Sequence, residues 1–112
     1  MMKMQEKKEL DSILKEGLSR RYGIFGPVLV AQINTVYSGH RTPAAIIKTE
    51  TGAMYVLVCN PLKFGGFSLY HLNSAPKYSC KAVLLRTAKE MIQQDQYRVE
   101  PLQRHQIGRA HV

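Results

Sequence analysis

The stretch "MYVLVC", Met54–Cys59, is apolar at every position. Successive side chains of a β-strand point to opposite faces of a sheet, so a strand with no polar face is expected to be central and covered on both sides. The alternative is that one of its faces stays open as a binding surface. The chain contains two segments that can supply one cover each. From Met4 to about Arg21, Leu10, Ile13, Leu14 and Leu18 recur at three- and four-residue spacing and predict an amphipathic helix, with Gly17 weakening its last turn. From Ala75 to about Gln94, Tyr78, Leu84, Leu85, Ala88, Met91 and Ile92 form a second apolar stripe. Ser74 is a suitable N-cap for that helix, and Pro76 is tolerated in a first turn.

Between the helices lie three further strand-like runs. Val28–Tyr37 is rich in β-branched and aromatic residues. Ser38–Pro43 reads as a turn, Ala44–Glu50 as the next strand, and Thr51-Gly52 as the hairpin that leads into Met54–Cys59. Asn60–Gly66 reads as a loop and Phe67–Leu72 as a fourth strand. Tyr97–Pro101 reads as a short edge strand, because Pro101 has no N–H with which to continue a ladder. Four strands joined by short connections predict an antiparallel meander, and the fold class is α+β with one helix at each end.

The chain has 112 residues, enough for one compact domain. Its last six residues, Ile107–Val112, coincide with one translated frame of a common sequencing adapter, and Gln106 has a codon that fits the bases before it. On that reading residues 1–106 are a single domain, truncated at its C-terminal end, and 107–112 are set aside from the fold, as any non-native tail is. Met1, Met2 and Met4 each offer a start. No apolar run is long enough to cross a bilayer, and the basic N-terminus lacks the apolar core of a secretory signal. Two cysteines, Cys59 and Cys80, do not make a disulfide framework, so the expected setting is cytoplasmic with reduced thiols.

Charge carries the functional expectation. The formal net charge is +8, or +7 once Arg109 is set aside with the tail, and the pI is near 9.7. Such a balance suits a polyanionic partner, although Lys and Arg are scattered along the chain rather than gathered in a run. His40 and Arg41, beside Tyr37, fall at the first hairpin. Lys63 precedes the Gly65-Gly66 pair in "KFGGF". Lys77 and Lys81 lie one turn apart at the start of the second predicted helix, where cations oppose the helix dipole. Together these five residues are the candidate anion-binding set, contacting nucleic-acid phosphates. Ordinary structural accounts exist for each: a solvated hairpin tip, a turn between strands, and lysine stems packed with their ammonium groups in water.

Other chemistry has less support. Cys59, Cys80, His40 and His71 have no metal-ligand spacing, and Gly65-Gly66 is not followed by the Lys-Ser/Thr of a phosphate loop. Five of the eight carboxylates fall on predicted solvated helix faces. No catalytic residue, metal or cofactor is expected. The expectation is therefore a small basic non-enzymatic protein that binds RNA, DNA or a nucleoprotein complex, without a membrane. The alternative is an accessory or inhibitor protein, of the sort carried by mobile elements, that docks on an acidic protein surface. A contiguous positive face over Arg41, Lys63, Lys77 and Lys81 favours the first. An apolar patch around Tyr37, Tyr55 and Leu57 favours the second, and a deep pocket holding a His beside a Cys favours an enzyme.

Overall fold

The computed structural model describes residues 4–72 and 80–102. The chain begins with α1 (Met4–Ser12), a π-helical stretch (Ile13–Gly17) and α2 (Leu18–Tyr22). The strands are β1 (Val28–Tyr37), β2 (His40–Lys48), β3 (Met54–Cys59) and β4 (Phe67–Leu72), and α3 covers Lys81–Gln94. The strands form one antiparallel sheet in the order β1-β2-β3-β4, an α+β meander with a helical segment at each end.

Both faces of β3 are covered, as expected from its composition. On one face Val56 and Val58 pack with Ile46, Tyr70 and Leu72 against Leu84, Ala88, Met91 and Ile92 of α3. On the other, Leu57 and Cys59 pack with Ala45, Ile47 and Leu69 against Leu10, Ile13 and Leu18 of the N-terminal helical segment. The π-helical stretch serves that second layer. Leu18 N–H bonds back to the Ile13 carbonyl, five residues earlier, which brings Leu18 onto the face that buries Ile13. Gly17 also has a packing reason to lack a side chain, since a Cβ there would lie 3.0 Å from the Phe67 ring.

The first hairpin is tighter than expected. The turn is Ser38-Gly39 alone, with φ of 52° and 77°, and His40 already pairs with Tyr37. Two consecutive positive φ values make a type I′ turn, which matches the twist of the flanking strands. "HRTP" therefore belongs to β2, not to the turn, and β2 ends at Lys48 rather than Glu50. Pro43 fits inside this strand for a local reason. Tyr37 and His40 flank a two-residue turn and form a hydrogen-bonded pair, so by alternation the Asn34–Pro43 pair is non-bonded and the Pro43 nitrogen faces the β3 side. Pairing with β3 starts one residue later, at Ala44 opposite Val58. The Cys59 carbonyl accepts instead from the Thr42 hydroxyl, Oγ1 to O 2.9 Å. Gly52, at φ 90°, closes the β2–β3 hairpin in the role expected of it.

The expected edge strand is a single bridge. Arg98 pairs with Tyr70, Val99 N–H donates to the Leu69 carbonyl, and His71 N–H donates to the Tyr97 carbonyl. The second helix differs at its start. Cys80, at φ −132° and ψ 152°, is extended and occupies the N-cap, so the helix begins at Lys81 and does not run back through Cys80. The expected helix start at Ala75, with Ser74, Pro76, Lys77 and Tyr78, lies outside the described residues, as does Ile107–Val112. Lys81 is the first residue of α3. None of the helices among the described residues is long and apolar enough to cross a membrane.

Candidate nucleic-acid interface

Two of the sequence-selected cations meet in space. Arg41, near the start of β2, and Lys63, in the β3–β4 connection, line one open cleft of about 300 Å³ with Glu9, Asn60, Leu62 and Phe64. The sheet register explains the meeting. β2 and β3 are antiparallel neighbours, so the residues just before Ala44 and the loop just after Cys59 emerge at the same end of the sheet.

The loop is internally tied. Asn60 Oδ1 accepts from Leu62 N–H at 2.9 Å, Asn60 N–H donates to the Gly66 carbonyl at 2.9 Å, and Gly66 N–H donates to the Lys63 carbonyl at 3.0 Å. Gly65 takes φ 79°, and a Cβ on Gly66 would press on the Lys63 carbonyl at 3.2 Å. Gly65 N–H donates to Glu9 Oε2 at 2.7 Å. That amide already serves a carboxylate of α1, so Gly65-Gly66 acts as a turn between strands and a tether to the first helix rather than as a phosphate cradle.

What the cleft presents to solvent is basic and apolar together. Arg41 and Lys63 are exposed, and among the described residues neither is ion-paired; the pairs present are Arg20–Glu16 and Arg98–Asp95. Phe64 and Leu62 flank Lys63 and are 75% and 71% exposed. His40 is exposed beside Arg41 but does not line the cleft, and adjacent strand residues point to opposite faces. Lys81 extends the Leu84–Ala88–Met91 stripe by one turn, yet it is exposed and lies outside the cleft wall.

Sequence reasoning missed Leu62 and Phe64 as surface groups. It also missed a second, shallower cleft of about 470 Å³ lined by Tyr55, His71, Tyr97, Arg98 and Val99. There the Tyr55 and His71 rings lie 5.2 Å apart at 44°. At the other end of β4, the Arg21 guanidinium sits 5.2 Å from the centre of the Phe67 ring, which also packs on Tyr22. Burial raises the Tyr22 phenol above its ordinary value, against a smaller lowering by Arg98.

The patch of Tyr37, Tyr55 and Leu57 is not a surface. Leu57 is fully buried, Tyr37 and Tyr55 are half-buried, and Tyr37 Oη shares a 3.2 Å hydrogen bond with Ser68 Oγ. Among the described residues no three His, Cys, Asp or Glu side chains are grouped to hold a metal ion. Fold and cleft together define a helix–sheet–helix α+β domain with a basic, aromatic-edged cleft at one end of its sheet. The chain matches no protein-family model, no curated protein and no solved structure.

Proposed function

We propose that the protein binds nucleic acid through its phosphate backbone at the Arg41–Lys63 cleft. The observation that carries this reading is the convergence of two exposed cations, one from the start of β2 and one from the β3–β4 loop and both without an ion pair among the described residues, with the open Phe64 ring beside them. Arg41 and Lys63 each suit a phosphate oxygen, and an exposed aromatic ring offers a stacking surface to an unpaired base. The cleft is open rather than enclosed, which favours backbone contact over base-specific readout. Arg41→Gln/Lys63→Gln should weaken binding to single-stranded RNA and DNA alike, measured by fluorescence anisotropy over a salt series. The slope of log K against log salt should shrink by roughly 1.4–1.8 for two lost contacts. Lys81→Gln, outside the cleft, should leave affinity within about twofold.

One observation favours a second reading. Leu62 and Phe64 are exposed apolar anchors rimmed by cations, an arrangement that also fits an acidic protein surface. Wild-type protein that shows no salt-dependent binding to any nucleic acid would remove the first reading and leave this one.

A further inference from the structure

The two edges of the sheet are treated differently. The β4 edge is occupied by the Tyr97–Val99 segment through the Arg98 bridge and two backbone hydrogen bonds. Among the described residues the β1 edge pairs only inward, with β2. β1 is ten residues long and holds no Asp, Glu, Lys, Arg or Pro, in a chain whose net charge is +8. An edge of this length is ordinarily blunted by charge, by proline or by a covering segment. Here the one irregularity is a bulge between Leu29 and Ala31, at the beginning of the strand, and Ala31–Tyr37 remains regular up to the hairpin turn.

The backbone of that regular stretch has open hydrogen-bonding groups at fixed places. Tyr37, Thr35 and Ile33 are in the hydrogen-bonded pairs with β2, so the N–H and C=O of Gln32, Asn34 and Val36 face outward. Their side chains are exposed as well, Val36 at 47%. The midpoint of Ala31–Tyr37 is Asn34, one of the outward-facing residues. A two-fold axis through Asn34 therefore sets every outward group of one copy opposite an outward group of the other.

We propose that the protein forms a homodimer by antiparallel pairing of β1 with β1 of a second copy, centred on Asn34. In this register Asn34 meets its own equivalent, Gln32 meets Val36, and on the opposite face Tyr37 meets Ala31, large against small. The strand carries no charge, so the two-fold places no like charges across the new ladder. Both sheets join into one of eight strands, which removes the open edge. The proposal does not depend on the nucleic-acid reading.

Sedimentation equilibrium of the full chain should show a dimer that Asn34→Lys dissociates, because that substitution sets two ammonium groups directly opposite each other at the axis. The dissociation constant should rise about tenfold or more, from the lost pairing and the added repulsion. The register is tested by a pair of double variants. Gln32→Lys/Val36→Lys should dissociate the dimer, whereas Gln32→Lys/Val36→Glu should keep it, since lysine then faces glutamate across the axis. All these positions are exposed, and an unchanged far-UV circular dichroism spectrum confirms that each variant folds. A monomeric wild type, a dimer indifferent to Asn34→Lys, or equal dissociation by both double variants would each overturn the proposal.

Discussion

Val56→Ala tests the two-sided sheet at its centre. Val56 is fully buried in an interior strand, with Ile46 on one side and Tyr70 on the other in the ladder, and it belongs to the cluster under α3. The substitution removes two methyl groups, and at about 0.8 kcal/mol each the transfer loss is roughly 1.6 kcal/mol. The neighbours cannot close the gap fully, because β2 and β4 are fixed by pairing on both sides, so a cavity contribution of up to about 1 kcal/mol adds to it. The expected loss is about 2–3 kcal/mol, which lowers the urea midpoint by roughly 1–2 M for a small domain. Leu57→Ala, adjacent in the same strand but packed on the N-terminal helical segment, should cost a further-reaching 3–4 kcal/mol or about that. Lys89→Ala, on the exposed face of α3, should stay within about 0.5 kcal/mol. Equilibrium urea unfolding followed by circular dichroism measures all three. If either Val56→Ala or Leu57→Ala costs less than Lys89→Ala, one face of β3 is open and the reasoning from its composition is wrong.

Three other outcomes follow from particular contacts. Ser38→Asn should raise stability by about 0.5 kcal/mol, because asparagine accepts the left-handed conformation of a type I′ turn more readily than serine; a loss in thermal melting would contradict that turn. Thr42→Val should cost roughly 1–2 kcal/mol in urea unfolding, since it strips the Cys59 carbonyl of the hydroxyl that stands in for the missing Pro43 N–H; a neutral result would show that carbonyl to be satisfied without it. Burial, reinforced by the 2.7 Å hydrogen bond donated to Asp95 Oδ1, raises the Tyr70 phenol above its ordinary value. A raised folded-state value gives stability that is fully present below pH 10 and is lost above it, at about 1.4 kcal/mol per pH unit. The stability advantage of wild type over Tyr70→Phe should therefore shrink from pH 10 upward in thermal melts; a constant difference from pH 8 to 11 would contradict the buried phenol.

Much of the fold was legible because it rests on local periodicity. Met54–Cys59 has no polar face, and the apolar stripes of the two helices match the residues that cover it. β1 was readable to its ends because turn residues bound it on both sides. β2 was misread at its start, since Gly, His, Thr and Pro are all common in turns. Two residues suffice for a type I′ turn, and Pro43 is tolerated only because of a register that a sequence does not display. The site was legible in part. Arg41 and Lys63 stood out as cations in connections, but their meeting depends on which strands are neighbours. Leu62 and Phe64 were read as part of a turn around two glycines, and nothing local announced that the tether from Gly65 to Glu9 would leave both side chains in solvent.

The most direct test of the binding account is a titration of ¹⁵N-labelled protein with a short single-stranded oligonucleotide of mixed sequence, followed by amide chemical shifts. Shifts should concentrate at Arg41, Asn60, Lys63 and Phe64 and fade as salt rises from 50 to about 200 mM, as phosphate contacts do. Shifts confined to the Tyr55–His71–Arg98 cleft, or none at any salt, would contradict it.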